Sequence, residues 1–190
     1  MVELSLETEY IYIVFSKTGT WLSSIIDILT KSQYTHVALS FDDEFETLYT
    51  FGRINPNNPF SGGFTIESLN AGVYKKNPST RCAIYKMPIT SKQLKRLKKE
   101  LNKFIHSNTH YKFNILGLIS LLFGKPFERK KHYFCSQFVT KLLGESDIWH
   151  SPKPYGLTRP TDLLLITNKQ LVFEGFVQEI FATKTLTAST

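Results

Sequence analysis

Residues 131–143, KHYFCSQFVTKLL, carry the pattern that decides the fold. Apolar residues recur there at helical spacing, at Phe134, Phe138, Val139 and Leu142. The aromatic residues before Cys135 look extended, so the pattern predicts a helix that starts near Cys135 and stops at Gly144. First-turn amides and the helix dipole favour an anion at a helix start, which makes the thiolate of Cys135 a candidate nucleophile.

The second cysteine lies in a different setting. Cys82 stands within RCAIYKM, a predicted strand over 82–87, and free cysteines are among the most buried residue types. We therefore assign Cys82 to the core, and the same interpretation is the alternative for Cys135. Two cysteines so far apart suggest no disulfide framework and are compatible with a reducing cytoplasm.

A thiol hydrolase also needs an imidazole from elsewhere in the fold to move the proton. His36 lies in the alternating strand THVALSF, on the face shared with two small residues, Ala38 and Ser40. Small residues leave room for a helix to approach, so His36 is the predicted base. His132 ranks second, because it reaches Cys135 only if the helix begins earlier. The other three histidines are assigned surface or capping roles: His106, His110 and His150.

Hydrophobic periodicity and turn residues predict the other elements. Strands are predicted at 10–15, 35–41, 45–51 and 82–87, with one or two closing strands in 171–181. Helices are predicted at 20–30, from a Ser91 cap to Ile105, and at about 112–123, with a helical turn at 160–162. Residues 52–80 are rich in Gly, Pro and Asn and predict a functional loop in which only 64–67 resembles a short strand. With 42% hydrophobic and 14% aromatic residues, the whole chain, 1–190, is predicted to form one domain.

The order of these elements resembles the circularly permuted branch of the NlpC/P60 papain-like superfamily. YTHVALSF and its hairpin come early, FCSQFVTKLL comes late, and TRPTDLL after it is similar to the family's Pro-x-Asp element. The likeness covers roughly Tyr10 to Leu165. It implies an α+β papain-like fold in which an antiparallel sheet packs against the Cys-bearing helix, with additional helices. It also implies a thiol hydrolase with Cys135 as nucleophile and His36 as base.

The third catalytic group, which orients the imidazole, is where this sequence departs from the family pattern. The family places an acid, an amide or a second histidine on the strand after the histidine strand, which here is FETLYTF. A three-residue turn at 42–44 places Thr50 opposite His36, whereas a two-residue turn brings Tyr49 diagonally beside it. Thr50 is therefore the predicted third catalytic residue. The alternatives are Tyr49, Glu46 and Glu67.

The net charge of +7 is concentrated in two stretches of the chain. Residues 91–107 hold six bases and one acid, and residues 125–131 hold four bases and one acid. The usual meaning of such runs is a solvated helix face. A competing hypothesis is a basic module that binds nucleic acid or anionic membrane. Of these two partners, nucleic acid is not expected, whereas peripheral contact with a membrane is compatible with the sequence. A third hypothesis is a degenerate papain-like domain kept for protein interaction.

The sequence also bears on location and ligands. The N-terminus carries acids where a secretion signal carries bases, and the apolar run at 115–123 is shorter than the roughly 20 residues of a membrane helix. A cytoplasmic protein is therefore predicted. The expected partner is a small-molecule, peptide or lipid-linked acyl substrate, and the sequence does not indicate an oligomeric state. No metal or other cofactor is predicted, because one cysteine and scattered histidines do not form a ligand spacing.

Overall fold

The computed structural model describes residues 8–17, 33–54, 61–107 and 110–181. Within these ranges, helices pack against a mixed sheet of eight strands, so the predicted α+β class is confirmed. The helix predicted over 20–30 lies outside the described residues.

The strands form a single sheet in the described part of the chain. In chain order they are β1 (Thr8–Lys17), β2 (His36–Ser40), β3 (Leu48–Arg53), β4 (Gly62–Glu67), β5 (Arg81–Thr90), β6 (Lys112–Phe113), β7 (His132–Tyr133) and β8 (Gln170–Phe176). Across the sheet their order is β7-β6-β4-β3-β2-β1-β5-β8. Neighbouring strands are antiparallel except β6 and β7, which run parallel. The expected antiparallel sheet therefore carries one parallel pair at its edge.

The helices occupy the connections between strands. They are α1 (Gly72–Lys76), α2 (Ser91–Ile105), α3 (Ile115–Leu122), α4 (Cys135–Glu145) and α5 (Pro160–Leu164), with a 3-10 turn at Tyr155–Leu157. Residues 177–181 are also helical. Within the loop predicted over 52–80, the short strand expected at 64–67 is found as β4, whereas α1 was not predicted.

Helix α2 shows how local sequence sets a boundary. Its N-cap is Thr90, one residue before the predicted Ser91: the Thr90 hydroxyl accepts from the Gln93 amide, and the Gln93 side chain accepts from the Thr90 amide. Leu97, Leu101 and Phe104 are buried along one side. The bases of α2 lie on the exposed side, so the first basic stretch is a solvated helix face as predicted.

The two faces of the sheet build separate parts of the core. One face carries Val37, Leu39 and Phe51 and packs against Phe138 and Val139 of α4, together with α2. The opposite face gathers a second apolar cluster: Tyr12, Val14, Ala38, Phe45, Leu48, Leu69, Tyr74, Cys82, Ile84, Val177 and Ile180. The prediction that the Ala38 face meets the Cys-bearing helix is therefore wrong, because α4 packs on the face of Val37 and Leu39. No helix among the described residues is both long and apolar enough to cross a bilayer.

Candidate active site

The thiol of Cys135 is fixed at the start of α4. Phe134 is the N-cap residue, with extended backbone and no side-chain cap, and its buried ring anchors the turn. The Ser136 hydroxyl donates to the Thr158 carbonyl at 2.7 Å, which ties the first turn of α4 to the segment after it. Cys135 is 6% exposed and is the first helical residue, as predicted.

The imidazole of His36 meets both an acid and the thiol. His36 is the first residue of β2, so it lies at the end of the strand, and its imidazole is close enough to Cys135 to interact with that side chain. Its Nε2 lies 3.2 Å from Oε2 of Glu67. The structure thus brings Cys135 and His36 together and adds a carboxylate behind the ring.

Gly52 is the reason that Glu67 can reach the imidazole. Leu39 pairs with Tyr49, and that antiparallel register places His36 opposite Gly52. A Cβ at Gly52 would stand 2.9 Å from Oε1 of Glu67 and 3.8 Å from Cε1 of His36. The missing side chain therefore opens the gap through which Glu67, the last residue of β4, reaches across the sheet.

A tyrosine behind Glu67 completes a chain of hydrogen bonds. The Tyr74 hydroxyl donates to Oε2 of Glu67 at 3.5 Å and lies 2.9 Å from the Ser16 hydroxyl. Tyr74 is buried, and this burial, together with the nearby charge of Glu67, raises its pKa well above the usual value, so it stays a neutral donor. Tyr74 comes from α1, in the stretch that the sequence marked as a loop, and sequence reasoning missed it.

The charge of Glu67 decides the protonation of His36. Burial of the ring acts to lower its pKa, but the charge of Glu67 and hydrogen bonds with Cys135 and Glu67 raise the pKa of His36 to about 10. The imidazole is therefore a cation at neutral pH.

The other sulfur and the other candidate bases are engaged elsewhere. Cys82 lies in the opposite core cluster, and burial raises its pKa to about 12, which keeps this thiol protonated. The ring of His132 lies 2.8 Å from the Lys130 carbonyl, and that of His150 pairs with Asp147 at 3.0 Å. Of the imidazoles named here, that of His36 is the one that interacts with Cys135.

Thr50, predicted as the third catalytic residue, does not contact the imidazole. Its buried hydroxyl donates to the Val37 carbonyl at 2.8 Å, within the sheet. This assignment is corrected: the side chain that contacts the imidazole of His36 is that of Glu67, one of the alternatives. Of the other two, Glu46 has an exposed side chain, and Tyr49 packs edge-on against Phe41.

Thr50→Val and Glu67→Gln separate these two assignments. Thr50→Val should lower the free energy of unfolding by about 1–3 kcal/mol, because the bond to the Val37 carbonyl is lost, and should leave the reactivity of Cys135 nearly unchanged. Glu67→Gln removes the charge next to His36 and should slow alkylation of Cys135 by iodoacetamide at neutral pH. The measurement pairs urea unfolding with alkylation rates. A slower Cys135 in Thr50→Val with Glu67→Gln unaffected would restore the original assignment.

The raised pKa of His36 also predicts how stability varies with pH. The folded pKa of about 10 exceeds the ordinary value of 6.5, so the folded state binds the proton more tightly than the unfolded chain. The resulting stabilisation is complete below 6.5 and is lost as the pH rises through about 10. Urea unfolding across this range should show a fall in the free energy of unfolding that His36→Ala makes shallower. Parallel curves for the two proteins would contradict the ion pair with Glu67.

Two comparisons with known proteins were made, and neither identifies a relative. A scan against models of known protein families and a search of curated proteins both found no match to the chain. The site is therefore interpreted from its own chemistry.

Proposed function

We propose that this protein is a cysteine hydrolase that cleaves an amide or ester bond through an acyl-enzyme on Cys135. The observation that carries the proposal is His36, whose imidazole interacts with Cys135 and lies 3.2 Å from the carboxylate of Glu67. Acyl transfer through a thiol requires a nucleophile, a base beside it and an acid that orients the base. Cys135, His36 and Glu67 would fill these three roles. A basic binding module has no use for them.

The reaction follows from the protonation of the pair. The Cys135 thiolate attacks the acyl carbon, and His36 gives its proton to the departing amine or alcohol. The acyl group then remains on Cys135 as a thioester. Neutral His36 then takes a proton from water as the water attacks the thioester, and the acid product departs as the thiolate and the imidazolium are restored. Glu67 stabilises the cationic ring in the resting state and holds its orientation through Nε2.

Backbone amides at the start of α4 supply charge stabilisation. The first N–H groups of a helix have no carbonyl one turn earlier to bind. Those of α4 begin at Cys135, so they point toward an oxyanion that forms on a carbon bonded to its sulfur.

The fold that we propose is a circularly permuted papain-like domain of the NlpC/P60 type. Support comes from chain order: the histidine strand β2 precedes the Cys-bearing helix α4, and α4 packs on the sheet beside β2 and β3. Further support comes from the Pro-x-Asp element, where Pro160 begins α5 and the Asp162 carboxylate accepts from the Arg159 amide at 2.8 Å.

Glu67 also bears on the alternative of a degenerate, non-catalytic domain. That alternative depended on the lack of a third catalytic acid in the sequence. A carboxylate 3.2 Å from the proposed base supports the catalytic interpretation over this alternative.

Mass spectrometry with an acyl donor tests the proposal. Incubation with p-nitrophenyl acetate, followed by rapid acid quench and peptide mapping, should find acetyl on Cys135 and none on Cys82. Cys135→Ser should abolish both this adduct and the burst of nitrophenol, whereas Cys82→Ala should keep them. Acetylation of lysines alone, with equal turnover in Cys135→Ser, would refute the hydrolase.

A further inference from the structure

Helix α3 has an apolar side that is not covered by the described residues. Leu116 is 52% exposed, Ile119 48% and Phe123, just after the helix, 74%. Their spacing of three and four residues places them on one face, while Gly117 and Leu121 are buried on the other. Single exposed apolar residues are ordinary, but a contiguous apolar face indicates an interaction surface.

The second basic stretch, residues 125–131, follows this helix directly, and we call it the basic loop. It exposes a further aromatic ring, Phe127, among its four bases: Lys125, Arg129, Lys130 and Lys131. Within the described part of the chain, none of the four forms an ion pair. The acid of the loop, Glu128, accepts from the Gly156 amide at 2.9 Å. The cationic charge of the loop is therefore not paired with a carboxylate of the described residues.

Hydrogen bonds hold the basic loop against α3. The Asn114 side chain caps α3 and donates to the Phe127 carbonyl at 3.0 Å. The Ser120 hydroxyl donates to the Lys125 carbonyl at 2.8 Å, and the Lys112 amide donates to the Lys131 carbonyl at 2.9 Å. The loop backbone is thus fixed at three points next to α3, so the exposed bases of the loop and the apolar face of α3 belong to the same region of the surface.

We propose that α3 and the basic loop form a docking surface for an anionic lipid bilayer. Apolar side chains at a helix face enter the boundary between headgroups and acyl chains, and adjacent lysines and arginines bind the anionic headgroups. The aliphatic members, Leu116 and Ile119, favour a bilayer over nucleic acid, which uses bases and aromatic rings but gains little from Leu or Ile. This docking is independent of the proposed chemistry.

Vesicle co-sedimentation tests the surface. The full chain should bind vesicles that contain phosphatidylglycerol and should not bind pure phosphatidylcholine, with binding that weakens as salt rises. A triple variant, Lys125→Gln, Arg129→Gln and Lys130→Gln, should weaken binding about 100-fold. Its matched control, Lys92→Gln, Lys95→Gln and Lys99→Gln, makes the same change in net charge on the exposed side of α2 and should bind like the parent.

A second pair of substitutions, a test and its matched control, examines the apolar part of the surface. Phe123→Ser should weaken vesicle binding about tenfold, whereas Leu165→Ser, at a site 76% exposed outside the surface, should not. Cys135→Ser should bind fully. Three results would each overturn the proposal. The protein could fail to bind anionic vesicles, the two triple variants could lose vesicle affinity equally, or a single-stranded oligonucleotide could bind more tightly than vesicles do.

Discussion

His36→Ala is expected to slow the acylation of Cys135 by p-nitrophenyl acetate by about 10²–10⁴-fold. The variant removes the group proposed to exchange protons with the leaving group and with water. The initial burst of nitrophenol measures the rate, and peptide mapping assigns the adduct to Cys135.

The matched control is another imidazole close to the nucleophile in sequence. His132 is three residues from Cys135, but its ring bonds to the Lys130 carbonyl, so His132→Ala should acylate at the rate of the parent. An equal loss in both variants would indicate a general disturbance of the start of α4. Full activity in His36→Ala would mean that Cys135 has another base.

Phe51→Ala is expected to lower the free energy of unfolding by about 3–5 kcal/mol, the largest loss of stability among the substitutions considered. Phe51 is fully buried between the sheet and the helices. Its ring meets five others at centroid distances of 5.1–6.4 Å: Phe64, Phe104, Tyr111, Tyr133 and Phe138. Truncation leaves a cavity in the layer that supports α4 and the strand carrying Gly52.

Urea unfolding measures this loss, with an exposed phenylalanine as the control. Phe123→Ala should change the free energy of unfolding by no more than about 0.5 kcal/mol, because its ring is 74% exposed. A loss at Phe51 below about 1 kcal/mol would show that the aromatic cluster is not the main support of this layer.

The elements that carry the nucleophile and the base could be predicted because their signals are local. The start of α4 follows from the change of period at Cys135, and the strand at His36 follows from alternation over a few residues. The two residues do meet, although they are about a hundred positions apart in the chain. The face of β2 was predicted wrongly because Ala38 and Ser40 read as space for a helix. The helix instead packs on the larger side chains of Val37 and Leu39.

The third group could not be predicted because it depends on a strand register. The sequence predicted a strand over 45–51, with Phe45 as its first residue. In the structure Phe45 belongs to the turn, with a φ of 56°, and its buried ring packs edge-on against Tyr12 at 5.4 Å. Strand β3 begins only at Leu48, and the register shifts so that Gly52 lies opposite His36 where Thr50 was expected. A buried apolar residue in a turn is indistinguishable from a strand residue by pattern alone.

Glu67 and Tyr74 show a second limit of sequence reasoning. Both lie in the stretch of glycines, prolines and asparagines that predicted a loop, and Glu67 reaches His36 across a neighbouring strand. The one local signal was Gly52, since a glycine within a strand often marks a close approach by another group.

Alkylation with iodoacetamide at about pH 6.5 tests whether His36 activates Cys135 as a thiolate. At this pH an ordinary thiol, with a pKa near 8.5, is almost fully protonated and reacts slowly. Peptide mapping by mass spectrometry reads both cysteines in one sample, in the parent and in His36→Ala. We expect rapid alkylation of Cys135 in the parent, strong slowing in His36→Ala, and no alkylation of Cys82 until the protein unfolds. Alkylation of Cys135 at the rate of an ordinary thiol, unchanged by the loss of His36, would contradict this expectation.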